Sequence, residues 1–312
     1  MGGLTFFRKK EIVPVFIPQK LCGLLLPLIT PMNEDFSVDT LALKAFTARL
    51  MNKGVKNFFV LSSFSESQFL SSEERKKIIQ TVHHEVNGKG VILAGCFGSS
   101  PDEIISKINE VKEFTTLCVV NVPLNALERE LEFVDFFDSL FTQTNANILL
   151  YNNSSIYKKS IPPLWLDNII NWERLVGVID SSKNSEYLDE LGKYYQFTRI
   201  FEENDELSFD ALKRGFSGLC PLSSNAFPAY YLDLVNNYSE LNFHTLVRNE
   251  AKISALNKLL PPQKKLQAFK YALSLSGLIQ SCSSPLLETL TEKEKRLVED
   301  AFGLKKRVFI QK

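Results

Sequence analysis

Residues 175–184 read LVGVIDSSKN. An apolar run with one glycine is followed by a carboxylate, two hydroxyls, a lysine and an amide. Strands buried on both faces carry near-continuous apolar runs rather than alternation. The stretch therefore predicts a covered parallel strand that opens into a polar loop. Ile179 stands at its last apolar position, where a pocket would begin.

Seven more runs of this kind lie along the chain: GLLLPLI (23–29), NFFVL (57–61), VILAG (91–95), LCVVNV (117–122), NILLY (147–151), TRIF (198–201) and SGLCP (217–221). A helix-like segment follows each one. Strands alternating with helices imply a parallel sheet. Eight such units in a chain of 312 residues imply an α/β fold closed as a (β/α)8 TIM barrel. The predicted layout is an N-terminal extension over 1–21, irregular or strand-like, a barrel over 22–236, and a small C-terminal helical layer over 237–312.

Helix-start signals agree. Asp39 to Lys53 carries Leu43, Phe46 and Leu50 on one face and stops at Gly54. Ser71 with Glu74 reads as a capping box, and so does Ser100 with Glu103, where Pro101 takes the first helical position. A further capped helix starts near Thr291.

Composition narrows the function classes. Apolar residues make up 45% and charged residues 23%, so a large core can form. Lys+Arg and Asp+Glu are equal at 36 each, which leaves no global field for nucleic acid or an anionic membrane. The longest apolar run, Cys22 to Ile29, contains Pro27 and is too short to span a bilayer. Arg8-Lys9-Lys10-Glu11 follows Phe6-Phe7, so no signal peptide is expected. Five scattered cysteines read as buried thiols of a cytoplasmic protein. His83-His84-Glu85 reads as helix surface, since adjacent helical residues diverge and no third ligand is in view; no metal and no cofactor are expected.

In such barrels the chemistry sits where strands run out into loops. At those ends the sequence resembles the dihydrodipicolinate synthase / N-acetylneuraminate lyase family of class I aldolases. PLITPMNEDFSVD (27–39) is similar to the family's first strand and turn. SSFSESQFLSSEER (62–75) stands where the family has G-T-T-G-E and a following E-R. LLYNNSS (149–155) matches Y-N-x-P. GVIDSSKN (177–184) matches G-[IV]-K-[DE]-S-[ST]-G-[DN]. RGFSGLCPLSSNAFP (214–228) matches the segment ending A/S-N-x-x-P. The likeness runs from about residue 22 to about residue 300.

The resemblance implies a lysine at the end of the sixth strand that forms a Schiff base with pyruvate or a pyruvate-derived acid. The matching residue is Ile179, and an alkyl chain has no lone pair to offer. The resemblance also implies Tyr151 as proton relay and general acid/base, and Ser63 as a remaining carboxylate-binding hydroxyl. Phe64 replaces the second threonine of that loop, and Ser62 and Ser65 replace its glycines. Ser62, Phe64, Ile179 and Cys220 are the remaining candidates for contact with a ligand. Asn125 stands for a tyrosine, Ser154 for a proline, Ile156 for a carboxylate-binding arginine, and Glu203 for a glycine ahead of Asn204 and Asp205.

Three readings follow. One is a member without Schiff-base activity that binds a small keto acid, regulates or assembles. Another is an enzyme of different, non-covalent chemistry using Tyr151 and Ser63 with Asp180 nearby. The third is a lyase working through another lysine, with Lys183, Lys158 and Lys159 as candidates. The resemblance also implies a homodimer or homotetramer.

Overall fold

The computed structural model describes residues 21–238, 253–254, 260–282, 284 and 288–303. The expected extension over residues 1–20 lies outside this set. Eight parallel strands close in sequence order: β1 (Gly23–Pro27), β2 (Asn57–Val60), β3 (Val91–Gly95), β4 (Leu117–Asn121), β5 (Asn147–Asn152), β6 (Leu175–Asp180), β7 (Arg199–Glu202) and β8 (Gly218–Leu219). All eight expected strands are present, each within three residues of the length of its apolar run. The barrel closes where Gly23 pairs with Gly218. A Cβ on Gly218 would stand 1.9 Å from the Gly23 carbonyl oxygen, so only glycine fits that seam.

Between the strands run α1 (Thr40–Asn52), α2 (Ser72–Val86), α3 (Pro101–Val111), α4 (Glu130–Gln143), the single-turn α5 (Ser154–Tyr157), α6 (Ser185–Gly192), α7 (Ser208–Lys213) and α8 (Pro228–Asn237). Asp39 caps α1 through the Ala42 N–H at 2.9 Å, and Ser71 with Glu74 closes a full box on α2. On α3 only half of the expected box forms. Ser100 accepts from the Glu103 N–H, but the Glu103 carboxylate turns to Ser99 and Lys107 instead. A lysine one turn on competes for the carboxylate with a full charge.

Alternation along the strands divides the core in two. One set, including Leu26, Phe58, Val60, Val120, Leu150 and Val178, packs under the helices against Phe46, Ile79, Phe137 and Leu188. The other set fills the barrel lumen: Leu25, Phe59, Leu93, Val119, Leu149, Ile179, Phe201 and Cys220. On β6 strict alternation fails. The register against β5 slips between Ile148 and Leu149, so Leu175 and Gly177 pair with consecutive residues. The extra residue lets Val176 and Ile179, three apart, both join the lumen. Gly177 is required there, because its Cβ would lie 2.7 Å from the Arg199 carbonyl oxygen.

After the barrel come α9 (Pro262–Leu275) and α10 (Glu292–Phe302), the latter starting in a complete Thr291–Glu294 capping box. They pair through Tyr271 with Glu299 at 2.7 Å and Lys264 with Glu294 at 2.9 Å. Lys270 of α9 is fully buried and ion-paired with Glu66 in the loop after β2; Ser284 also donates to that carboxylate. Burial pulls the Lys270 ammonium below its ordinary range and the Glu66 charge opposes this. The helical layer is thus pinned to the loop after β2, at the C-terminal end of the barrel strands.

One expectation about the thiols needs correction. Cys96, Cys118 and Cys220 are buried, Cys282 is half-buried and Cys22 is exposed. Cys22 precedes the first strand residue, so its apolar neighbourhood in sequence does not carry it into the core.

Candidate active site

The loop after β2 sets the first wall. Ser62 is buried and caps a short turn over Ser63–Ser65, accepting from the Phe64 N–H at 3.2 Å. The left-handed backbone falls on Leu61 (φ 55°) and Glu66 (φ 57°), flanking the two serines that replace glycines. Two non-glycine residues in that region cost on the order of 1 kcal/mol each. The Ser63 hydroxyl points inward and lies 3.0 Å from the Tyr151 hydroxyl. Phe64 turns the other way, half-buried against the helix-layer core.

Tyr151 closes the lumen from β5. It pairs in register with Ile179, which pairs with Phe201. Ile179 is 0 % exposed among Phe59, Tyr151, Phe201 and Cys220. Its burial is worth roughly 1.5–3 kcal/mol. Cys220 lies in the same apolar cluster, where burial pushes its thiol well above its ordinary range. Phe97 leans over Tyr151 with ring centroids 5.3 Å apart, and Tyr157 meets it edge-on at 6.4 Å.

The ends of β6 and β7 hold buried carboxylates. The strand alternation that sends Ile179 inward sends Asp180 outward. There it accepts from Asn152 at 2.6 Å and from the Ser182 hydroxyl at 2.8 Å. Burial raises Asp180 to about 6 against the pull of those donors. Glu202 also points outward. One oxygen accepts from Asn204 N–H at 2.7 Å; the other, Oε2, has no hydrogen-bond partner among the described residues. Burial and the Asp180 charge push its carboxyl well up.

Glu203 comes next and turns toward Tyr151. Its backbone N–H bonds the Asp180 carbonyl at 2.8 Å. Its carboxylate stands 2.9 Å and 3.0 Å from the Tyr151 hydroxyl and 2.7 Å from the Ser181 hydroxyl. Asn153 donates to the Tyr151 oxygen at 2.7 Å. A phenol has one proton and two lone pairs. With Glu203 ionised, every contact is satisfied if Tyr151 donates to Glu203 and accepts from Asn153 and Ser63. Burial lifts Glu203 to about 7, opposed by the Ser181 and Tyr151 hydrogen bonds, while the Asp180 charge adds to the rise. Tyr151 is pushed well above its ordinary range by burial and by the Glu203 charge.

Sequence reasoning treated Glu203 only as a lost glycine and missed this contact. The signal available was Glu202-Glu203-Asn204-Asp205 at a strand end, a density of polar groups that a mere turn does not need.

Above the lumen lies a cleft of about 900 Å³ between the loops after β2, β3, β4 and β5. Ser63, Asn121, Asn125, Ile156 and Lys107 line it, and Phe97 and Tyr157 form its floor over the lumen. Its lysine and arginine are already paired: Lys107 with Glu103 at 2.6 Å, and Arg75 with Glu110 at 2.7 Å. The Lys107 bond holds Glu103 down at about 2. Asn121 pins the β3 loop through both Gly98 backbone groups at 2.9 Å. Ile156 is 50 % exposed on the rim.

None of the surrogate lysines lines this cleft, although the Lys183 charge reaches Glu203 and pulls its carboxyl down. Lys158 bonds the Ser155 carbonyl at 3.0 Å, Lys159 bonds the Leu127 carbonyl, and Lys183 is exposed at the α6 entry. Among the described residues the one buried lysine is Lys270, which is held by Glu66. The His83 ring nitrogen lies 3.0 Å from the Phe114 carbonyl, and His84 faces solvent.

A closed eight-stranded parallel barrel with a tyrosine, hydroxyls and carboxylates at its C-terminal rim is a TIM barrel with its polar site at the loop end of the strands. The chain belongs to the Dihydrodipicolinate synthetase family, whose profile matches residues 20–302. It is 26% identical over 287 residues to the 4-hydroxy-tetrahydrodipicolinate synthase of Ehrlichia canis, covering 90% of this chain and 96% of that one. The fold is shared with the dihydrodipicolinate synthase of Thermotoga maritima (TM-score 0.83, 20% identity, 91% of this chain and 99% of that one). It is shared also with a catalytic lysine mutant of Ruminococcus gnavus sialic acid aldolase (TM-score 0.82, 16% identity, 92% and 96%).

Proposed function

We propose that this family member does not run imine chemistry and acts as a non-catalytic, small-acid-binding regulator or assembly protein. One observation carries the reading. The position matched to the Schiff-base lysine is Ile179, sealed in the lumen beneath Phe97 and Tyr157; Lys158 and Lys159 are bonded to carbonyls, Lys183 is exposed, and none of the three lines the cleft. An amine must be present and uncharged to attack a ketone, and hydrocarbon cannot be tuned into one. The ligand class that fits is a small keto acid, since the cleft and rim offer hydroxyls and amides while Arg75 and Lys107 are already paired. Cytoplasmic residence and a homodimer or homotetramer complete the reading; Leu124 and Ile156, half-exposed at the cleft, suit self-association. Incubation with pyruvate and borohydride tests it, with no covalent adduct expected.

A second reading is favoured by the Glu203–Tyr151–Ser63 contacts. A carboxyl at about 7 linked through a phenol to a hydroxyl on the cleft wall can exchange protons with a bound substrate without an imine. Turnover of a keto acid that is lost in Glu203→Gln, with no trapped adduct, is the outcome that selects it.

A further inference from the structure

The Glu203 carboxylate sits on a set of donors rather than against a cation. Hydroxyls from two neighbouring strand ends converge on it, Tyr151 at 2.9 Å and Ser181 at 2.7 Å. The Asn153 amide backs the tyrosine oxygen at 2.7 Å. All four residues are buried, and among the described residues no ion pair reaches Glu203. The main chain cannot shift easily, because the Glu203 N–H continues the β6–β7 ladder at 2.8 Å from Asp180 O. Only side-chain torsions place the carboxylate, and the matching family motif has no side chain at this position.

We propose that Tyr151, Ser181 and Asn153 form a carboxylate-binding cradle that the chain fills with its own Glu203, and that a small monocarboxylic acid occupies the same place when Glu203 is displaced or removed. This deepens the small-acid reading above and rests on it. The cradle supplies hydroxyl donors spaced for one carboxylate. Asp180, whose charge acts on Glu203 more strongly than the opposing charge of the exposed Lys183, and the neighbouring Glu202 disfavour a second negative charge. The site therefore selects monoanions over dicarboxylates and phosphates. A tethered carboxylate competes at an effective concentration in the millimolar range or above, so an external acid binds the unaltered chain weakly.

Titration calorimetry with acetate and with pyruvate tests the cradle, using the unaltered full chain, Glu203→Ala, Glu203→Gln and Glu203→Ala/Ser181→Ala. Glu203→Ala is expected to bind both acids at least about tenfold more tightly than the unaltered chain. Glu203→Gln, whose amide still fills the space, behaves as the unaltered chain, and the double variant loses the gain. Should Glu203→Ala fail to stay folded, its melting midpoint is compared in acetate and in equimolar chloride; the cradle requires a rise with acetate alone. Equal binding by Glu203→Ala and Glu203→Gln, a gain that survives loss of Ser181, or no rescue by acetate overturns the proposal. A pyruvate adduct on the unaltered chain would instead overturn the preceding reading and leave these titrations to decide the cradle separately.

Discussion

The carboxylate of Glu203 and the hydroxyl of Tyr151 lie 2.9 Å apart at the mouth of the barrel, both buried. Tyr151 is the expected relay; Glu203 is an addition that reaches it from the end of β7, two strands along the barrel from β5. Tyr151→Phe removes one donor from the carboxylate. Its carboxyl then rises above about 7, because the Tyr151 bond holds it down. The variant should lose about 1–3 kcal/mol at pH 8, where Glu203 is charged, and less at pH 5. Urea unfolding at both values measures this, and an equal loss at both would contradict the assigned donor direction.

Stability should fall as pH rises through neutrality. Asp180 is raised from 3.8 to about 6 and Glu203 from 4.5 to about 7, each mainly by burial. An acid whose folded value is raised stabilises fully below its unfolded value, and this is lost as pH passes the folded one. The window therefore runs from about pH 4 to pH 7. Each shift corresponds to roughly 3 kcal/mol, and less jointly since Asp180 itself raises Glu203. The unfolding free energy is expected to be higher near pH 5 than at pH 8. A flat or rising profile over that interval would contradict the burial of these carboxyls among neutral donors.

Lys270→Met leaves the Glu66 charge buried without its ammonium. A loss of about 3–5 kcal/mol is expected. Lys270→Met with Glu66→Leu should recover at least half of it, because no charge is then stranded. The comparison is made by denaturant unfolding, and a double variant no better than the single one would mean that the loss does not come from a stranded Glu66 charge.

Ile179→Met and Ile179→Lys separate packing from charge at the central position. Methionine conserves volume and should cost less than about 1.5 kcal/mol. Lysine places an ammonium among Phe59, Phe201 and Cys220 and should cost several times more, on the order of 3–5 kcal/mol. A lysine tolerated within about 1 kcal/mol would show that the lumen is wet rather than sealed.

The barrel was legible because its strands are buried on both faces, which writes them as apolar runs such as Asn147–Tyr151 bounded by polar loops. The β6 bulge was not, since Val176 and Ile179 carry no local mark of an extra residue. The place of Ile179 was readable from its motif. The place of Glu203 was not: it depends on Tyr151 and Ser181, 52 and 22 residues away, meeting it across strand ends. Nor could Phe97 be known as a cleft floor until β2, β3 and β5 brought three rings together. Spacing along a chain records strand ends, whereas contacts among them are a product of closure.

The central claim, that no amine stands where a keto acid would be captured, is tested most directly by intact-mass spectrometry after incubation with pyruvate and borohydride, run beside the Ehrlichia canis synthase. An unchanged mass is expected for this chain. A reduced pyruvate adduct mapped to any lysine at the barrel mouth would contradict it.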